Sequence, residues 1–215
     1  MAAVRQVLWD WNGTLLDDLH YAIDVRNRTF PAFGLKGIPS VEAYRRVFTF
    51  PVRAYYESAG VTEQNFEAVA HAWMDEYVRG FAGVSLHGDA IEALKRFRDA
   101  GVKQVVLSAT KHDMLESQIA QFPIRAYFHE VLGLDDIYAG SKEAIGKAYL
   151  SGCGVAPEES VMIGDTLHDA EVARAMGTRC ILVARGHQSR ESLLGTGLPV
   201  TDSLREAATL LLADA

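Results

Sequence analysis

The chain opens with a short apolar run that closes on an acid. Val4 to Asp10, with Val7-Leu8-Trp9 at its centre, reads as a buried strand ending at Asp10, and Gly13 and Thr14 follow it with turn chemistry. From about Leu16 to Phe81 the pattern changes to helical spacing. Phe66, Val69, Ala70, Trp73, Met74 and Tyr77 fall at i, i+3, i+4, i+7, i+8 and i+11, the signature of one packed helix face rather than of a cofactor box. Pro31, Gly34, Gly37, Pro39, Pro51 and Gly60 divide this stretch into about four helices, and no strand-like alternation interrupts it.

After Gly83 strands and helices alternate. Asp89 caps a helix that carries Ile91, Leu94 and Phe97 and stops at Gly101. Val105-Val106-Leu107 is a short strand ending on Ser108, and a helix runs from about Lys111 to Gln121. Val131 to Leu134 reads as a strand and Lys142 to Gly152 as a helix. Val161-Met162-Ile163 is a strand ending at Gly164-Asp165, Asp169 to Met176 is a helix closed by Gly177, and Cys180 to Val183 is a further strand. Such alternation predicts an α/β fold: a doubly wound, Rossmann-like parallel sheet with a small all-helical cap domain. The core domain is expected over residues 1–15 and 82–215, and the cap over 16–81.

In a sheet of that kind the strand ends share one edge, so Asp10, Ser108 and Asp165 converge although they lie far apart in sequence. Asp10 is the candidate nucleophile; taken alone it reads equally well as a cap on the following turn. Asp169, four residues after Asp165, falls on the same side of a helix that starts there. Carboxylates gathered this way repel one another unless a cation joins them. A hard divalent ion with oxygen ligands, Mg²⁺ foremost, resolves the repulsion and suits phosphate chemistry. Backbone amides from Trp11 to Thr14 suit a bound phosphate.

Composition narrows the classes. The 215 residues, 49% hydrophobic and 23% charged, describe a globular chain of one domain or of one domain carrying an insertion. A net charge of −7 argues against nucleic acid or an anionic membrane as the main partner and leaves room for a local basic pocket. Cys153 and Cys180 have no metal or disulfide spacing and read as reduced core cysteines. There is no apolar stretch of about 18 residues and no signal-peptide pattern. A cytoplasmic protein, monomeric or homodimeric, is expected.

Asp10-Trp11-Asn12-Gly13-Thr14 resembles the first motif of the haloacid dehalogenase-like hydrolase superfamily, whose phosphatase form is Asp-x-Asp-Gly-Thr. Ser108, Lys142 and Gly164-Asp165-Thr166-Leu167-His168-Asp169 follow in the order of the other three motifs, and the helical insertion after motif one resembles the phosphoglycolate-phosphatase-like branch. The resemblance covers most of the chain. It implies a Mg²⁺-dependent phosphate monoester hydrolase acting on a small, phosphoglycolate-like phosphorylated metabolite through an aspartyl-phosphate on Asp10. By the same resemblance Ser108 holds a phosphate oxygen, together with Gly13, Thr14 and Ala109, the last standing where family members often place Asn. Lys142, with Lys147 as the alternative, balances the charge of nucleophile and phosphoryl group. Asp10, Asp165 and the backbone carbonyl of Asn12 would ligate Mg²⁺, with Asp169 joining through water or as an orienting group.

Asn12 is the departure, because the family's second Asp protonates the leaving group and later activates water. An amide does neither, and general acid–base catalysis contributes about 10²–10⁴ in rate. Three readings follow. The first is a phosphatase that borrows another acid or base, among His20, Asp17, Asp18 and His168, or that prefers good leaving groups. The second is phosphonoacetaldehyde-hydrolase-like phosphorus–carbon cleavage, which needs a cap lysine, and Lys36 is the only one in the expected cap. The third is a phosphate-ligand binding or regulatory protein with vestigial catalysis. Arg45, Arg46, Arg53, Tyr55 and Tyr56 lie in the cap, and Gly186-His187-Gln188-Ser189-Arg190 follows the last strand near the expected rim.

Overall fold

A computed structural model describes residues 3–135 and 141–213. The first apolar run forms β1 (Gln6–Trp9), and a turn leads to the short strand β2 (Leu16–Asp17). Next come α1 (Leu19–Thr29), α2 (Val41–Val47), α3 (Val52–Ser58) and α4 (Phe66–Gly80). β3 (Ser85–Leu86) then returns antiparallel to β2. The chain continues through α5 (Ala90–Asp99), β4 (Lys103–Lys111), α6 (His112–Ile119), β5 (Glu130–Leu134) and α7 (Lys142–Gly152). It closes with β6 (Ser160–Gly164), α8 (Leu167–Met176), β7 (Arg179–Val183), α9 (Arg190–Leu194), β8 (Val200–Thr201) and α10 (Leu204–Leu212).

Six strands form one sheet in the order β5-β4-β1-β6-β7-β8, every neighbouring pair parallel. From β1 the chain runs outward through β4 and β5, then returns to β6 and runs outward the other way. Winding therefore reverses at β1, which opens a crevice at the carboxyl ends of β1, β4 and β6. The strands read as continuous apolar runs because both faces are covered. Val7, Trp9, Val106, Val161 and Ile163 pack on one face with Leu94, Phe97, Leu115, Ile119 and Leu204 from α5, α6 and α10. Leu8, Val105, Leu107 and Met162 pack on the other with Val172 and Met176 from α8 and Leu193 from α9.

The helices between β2 and β3 bury a cluster of their own, with Leu19, Ile23, Phe30, Tyr44, Tyr55, Tyr56 and Val69 among its members. The expected helical start at Leu16 is instead a strand, because Leu16 and Asp17 pair with Leu86 and Ser85. The β2–β3 ribbon is thus the two-stranded stem through which the chain leaves and re-enters the sheet region. β4 also runs past Ser108 to Lys111, its pairing with β5 slipping between Leu107 and Lys111. The helix expected from Asp169 begins two residues earlier. Thr166 caps it, and Asp169 is the third residue of a capping box rather than the first of the helix. No helix among the described residues is long and apolar enough to cross a membrane.

Candidate active site

β1 ends by passing the Asp10 N–H to the Ile163 carbonyl of β6 at 2.9 Å, which seats the Asp10 carboxylate at the strand ends. Asp165 follows β6 directly, and Asp169 lies one turn along α8. The three carboxylates are 8%, 0% and 1% exposed, and each offers an oxygen within 4.8 Å of the others. Lys142, the first residue of α7, joins two of them: its Nζ donates to Asp10 Oδ1 and, at 2.6 Å, to Asp169 Oδ1. Lys147 is exposed and pairs with Glu143, so Lys142 is the lysine in the site. Thr14 Oγ1 lies 3.2 Å from Asp10 Oδ2 and 3.0 Å from Asp165 Oδ1, its one proton bridging the gap.

Burial pushes the Asp10 carboxyl up to about 8, with the charges of Asp169 and Asp165 adding to the rise and the Lys142 ammonium opposing it. Asp165 rises to about 6 by burial and the neighbouring Asp169, against the pull of His187. Asp169 shifts the other way despite burial: Lys142 and the Thr166 hydroxyl hold it below the ordinary range. Two crowded, raised carboxylates beside a saturated third are what a site short of positive charge looks like, and a divalent cation fits it. Asp10 and Asp165 retain lone pairs for a metal. Asp169 Oδ1 is taken by Lys142, and its Oδ2 accepts from Asp165 N, Thr166 N and Thr166 Oγ1 at 3.2, 3.0 and 2.7 Å. Of its two expected roles, this geometry suits the orienting one.

The loop after Asp10 is shaped by close approach. Gly13 has φ +74°, and a Cβ there would fall 2.5 Å from Asp165 Oδ2. Gly186 is equally confined, since its Cβ would lie 2.0 Å from the same oxygen. The Gly13 N–H faces Leu16 O at 3.0 Å and Asp18 Oδ1 at 2.8 Å, and Thr14 N donates to Trp11 O at 3.3 Å. These two amides serve the loop itself rather than an incoming phosphate. Ser108 is buried and its Oγ accepts from Thr110 N at 3.0 Å, whereas Ala109 is exposed.

A model of the haloacid dehalogenase-like hydrolases matches residues 7–183. The chain belongs to that family. The hydrolase is 23% identical to phosphoglycolate phosphatase 1 of Pseudomonas aeruginosa over 97% of its own length and 76% of the relative's. It is 26% identical to the tyrosine-protein kinase PtkA of Mycobacterium tuberculosis over 94% of its length and 71% of that protein's. Among solved structures, a predicted phosphatase from Clostridium acetobutylicum superposes with a TM-score of 0.86 at 19% identity, covering 99% of this chain and 100% of that one. The enzyme class read from the sequence, a phosphatase, agrees with the family and with the name of the Pseudomonas relative, while the solved structure shares the fold.

Asn12 in this hydrolase is held on three sides. Its Nδ2 donates to Asp18 Oδ2 at 2.8 Å and to Tyr77 Oη at 3.0 Å, and its Oδ1 accepts from Thr110 Oγ1 at 2.9 Å. Asp18 is only 2% exposed and pairs with His187 Nε2 at 3.2 Å, while Tyr44 Oη meets His187 Nδ1 at 2.9 Å. The Asp18, Asp165 and Asp10 carboxylates outweigh burial and raise the imidazole to about 9, so His187 is cationic at neutral pH. Its charge, with Tyr77 and Asn12, holds Asp18 below the ordinary carboxylate range despite burial. The other proposed acids and bases lie elsewhere. His20 is exposed, Asp17 is half-exposed beside His87, and His168 stacks on Phe50 at 4.7 Å.

The cap arginines are committed or exposed. Arg45 donates to the Gly186 carbonyl at 3.0 and 2.8 Å and to the Arg185 carbonyl at 2.9 Å, tying α2 to the loop after β7. Arg53 lies 4.0 Å over Phe66, Arg46 is exposed, and Tyr55 and Tyr56 are buried among the helices. Lys36 is an exposed loop residue. Sequence reasoning missed Tyr44, Tyr77 and Thr110 as members of the site, and left His187 without a role. The signal for His187 was the glycine before it, in the loop that follows a strand of the parallel set.

Proposed function

We propose that this hydrolase removes the phosphoryl group from a small phosphorylated metabolite through an aspartyl-phosphate on Asp10. The observation that carries the reading is Asp10 itself: a buried carboxylate at a parallel-strand end, touched by Lys142 and flanked by Asp165 and Asp169. Asp10 attacks phosphorus in line, the P–O bond to the leaving group breaks, and water later cleaves the acyl phosphate. Lys142 offsets the negative charge of nucleophile and phosphoryl oxygens in a site with little water to screen it. Asp10, Asp165 and the Asn12 carbonyl would hold Mg²⁺, which supplies charge neutralisation and orientation of the phosphoryl group. Asp169 fixes the Lys142 ammonium, and Ser108 hydrogen-bonds a phosphoryl oxygen.

A panel of p-nitrophenyl phosphate, acetyl phosphate, phosphoglycolate and sugar phosphates, assayed with Mg²⁺ and with EDTA, tests the reading. Turnover of at least one of them that disappears in EDTA, and in Asp10→Asn, is expected. Turnover that survives Asp10→Asn refutes the assignment of the nucleophile.

A further inference from the structure

The amide at position 12 has a partner that accounts for it. Asp18 accepts four hydrogen bonds: Oδ1 from Gly13 N at 2.8 Å and His187 Nε2 at 3.2 Å, Oδ2 from Asn12 Nδ2 at 2.8 Å and Tyr77 Oη at 2.7 Å. A carboxylate has about four acceptor positions, so Asp18 is filled and carries no proton for a leaving group. The same contacts fix the orientation of Asn12. Tyr77 gives its only proton to Asp18 and can then only accept from Asn12, while the Thr110 hydroxyl donates to Asn12 Oδ1. An Asp at position 12 would set a second carboxyl against the first at hydrogen-bond distance and remove the amide hydrogen that bridges them. Buried like charges so placed repel strongly.

We infer that Asn12 and Asp18 form a matched acid–amide pair, in which Asp18 is the positioning residue that dictates the amide. With no carboxyl at position 12, the native enzyme is directed to phosphates whose leaving group departs without taking a proton: acyl phosphates, phosphoanhydrides and aryl phosphates. In such a step the Asp10–phosphorus bond forms, the P–O bond breaks, and the leaving group keeps the electron pair as a stabilised anion. The kinetic half of this inference rests on the phosphatase reading, whereas the pairing does not.

Exchanging the two residues balances the hydrogen bonds again. In Asn12→Asp/Asp18→Asn the new amide donates to residue 12 and to Tyr77 Oη, Tyr77 donates to residue 12, and the amide oxygen accepts from Gly13 N and His187. The test is therefore a four-member cycle of the wild type, Asn12→Asp, Asp18→Asn and the double variant. Melting temperature is measured on each, along with kcat/KM on acetyl phosphate and on an alkyl phosphate such as phosphoglycolate, with Mg²⁺. Each single variant is expected to melt about 3–6 °C lower, and the double variant within about 2 °C of wild type. The alkyl-to-acyl ratio of kcat/KM should rise about 100-fold in the double variant and less than about threefold in Asn12→Asp. Additive melting losses, or a full gain in ratio from Asn12→Asp alone without loss of melting temperature, overturn the inference. If none of the four hydrolyses either substrate while the double variant regains its melting temperature, the phosphatase reading and the leaving-group preference both fall. The pairing then stands on the thermal data.

Discussion

Lys142 decides the electrostatics of the site, because its one ammonium faces two of three buried carboxylates. Asp10 and Asp169 together raise the lysine's affinity for its proton against the cost of burial, so it stays charged throughout the physiological range. Lys142→Met is expected to lower kcat by at least about 10²–10³. It should also weaken the fold at neutral pH, since three carboxylates then share the pocket without their cation; steady-state kinetics and thermal melting check both effects. Ser108→Ala is expected to raise KM several-fold with kcat changed less, and an unchanged KM would remove it from phosphate binding. At this scale the sequence was legible for side chains that directly follow a buried strand or open a helix, as Asp10, Asp165 and Lys142 do. It was opaque where function depends on groups brought in by tertiary closure. Asn12 was readable as a departure, but Asp18, Tyr77 and Thr110 meet it only because α4 and the end of β4 converge on the loop.

Elements were legible in proportion to their burial and length. β1, β4, β6 and β7 announce themselves because parallel strands covered on both faces leave continuous apolar runs. β2, β3 and β8 are two residues each and carry no period, so pairing rather than propensity defines them. Leu204, Ala207, Ala208 and Leu211 do have helical spacing and mark α10, an element the pattern reading does not assign. Asp89 ties these parts together. It stands just before α5, where its side chain makes no capping bond to the helix; it accepts instead from Arg185 Nη2 after β7 at 2.5 Å and from Arg205 N at the start of α10 at 3.0 Å. Burial raises its pKa, but the Arg185 bond and the Arg205 amide more than offset that, and the carboxyl lies below its ordinary value. A lowered folded-state pKa stabilises above the unfolded value of about 4 and loses its effect as pH falls through the folded one. Asp89→Asn should therefore melt below wild type at pH 7, and the gap should close as pH is lowered beneath about 4. A gap independent of pH would show that the contribution is not ionic.

For the whole molecule, the helical region and the sheet share the main core cluster through Val25 and Tyr77, and specific polar and aromatic contacts add to it. Arg45 holds two carbonyls of the loop after β7, Tyr44 meets His187, and Phe50 lies on His168. Arg45→Ala should weaken that closure and show as a raised KM, with stability of the sheet region little changed in urea denaturation. Metal binding should be visible without catalysis. Saturation at about 100 times Kd contributes about 2.7 kcal/mol to the folded state, which for a chain of this size raises the melting temperature by roughly 5–10 °C. Mg²⁺ is expected to produce that rise in wild type and not in Asp165→Asn. The central claim is covalent chemistry at Asp10, and the measurement closest to it is phosphoryl trapping. The protein is mixed with ³²P-labelled acetyl phosphate and Mg²⁺, quenched in acid within a turnover, and digested for peptide mapping. Label on the peptide bearing Asp10, sensitive to hydroxylamine and absent with EDTA, is the predicted result. Turnover with no label on that peptide would contradict the account.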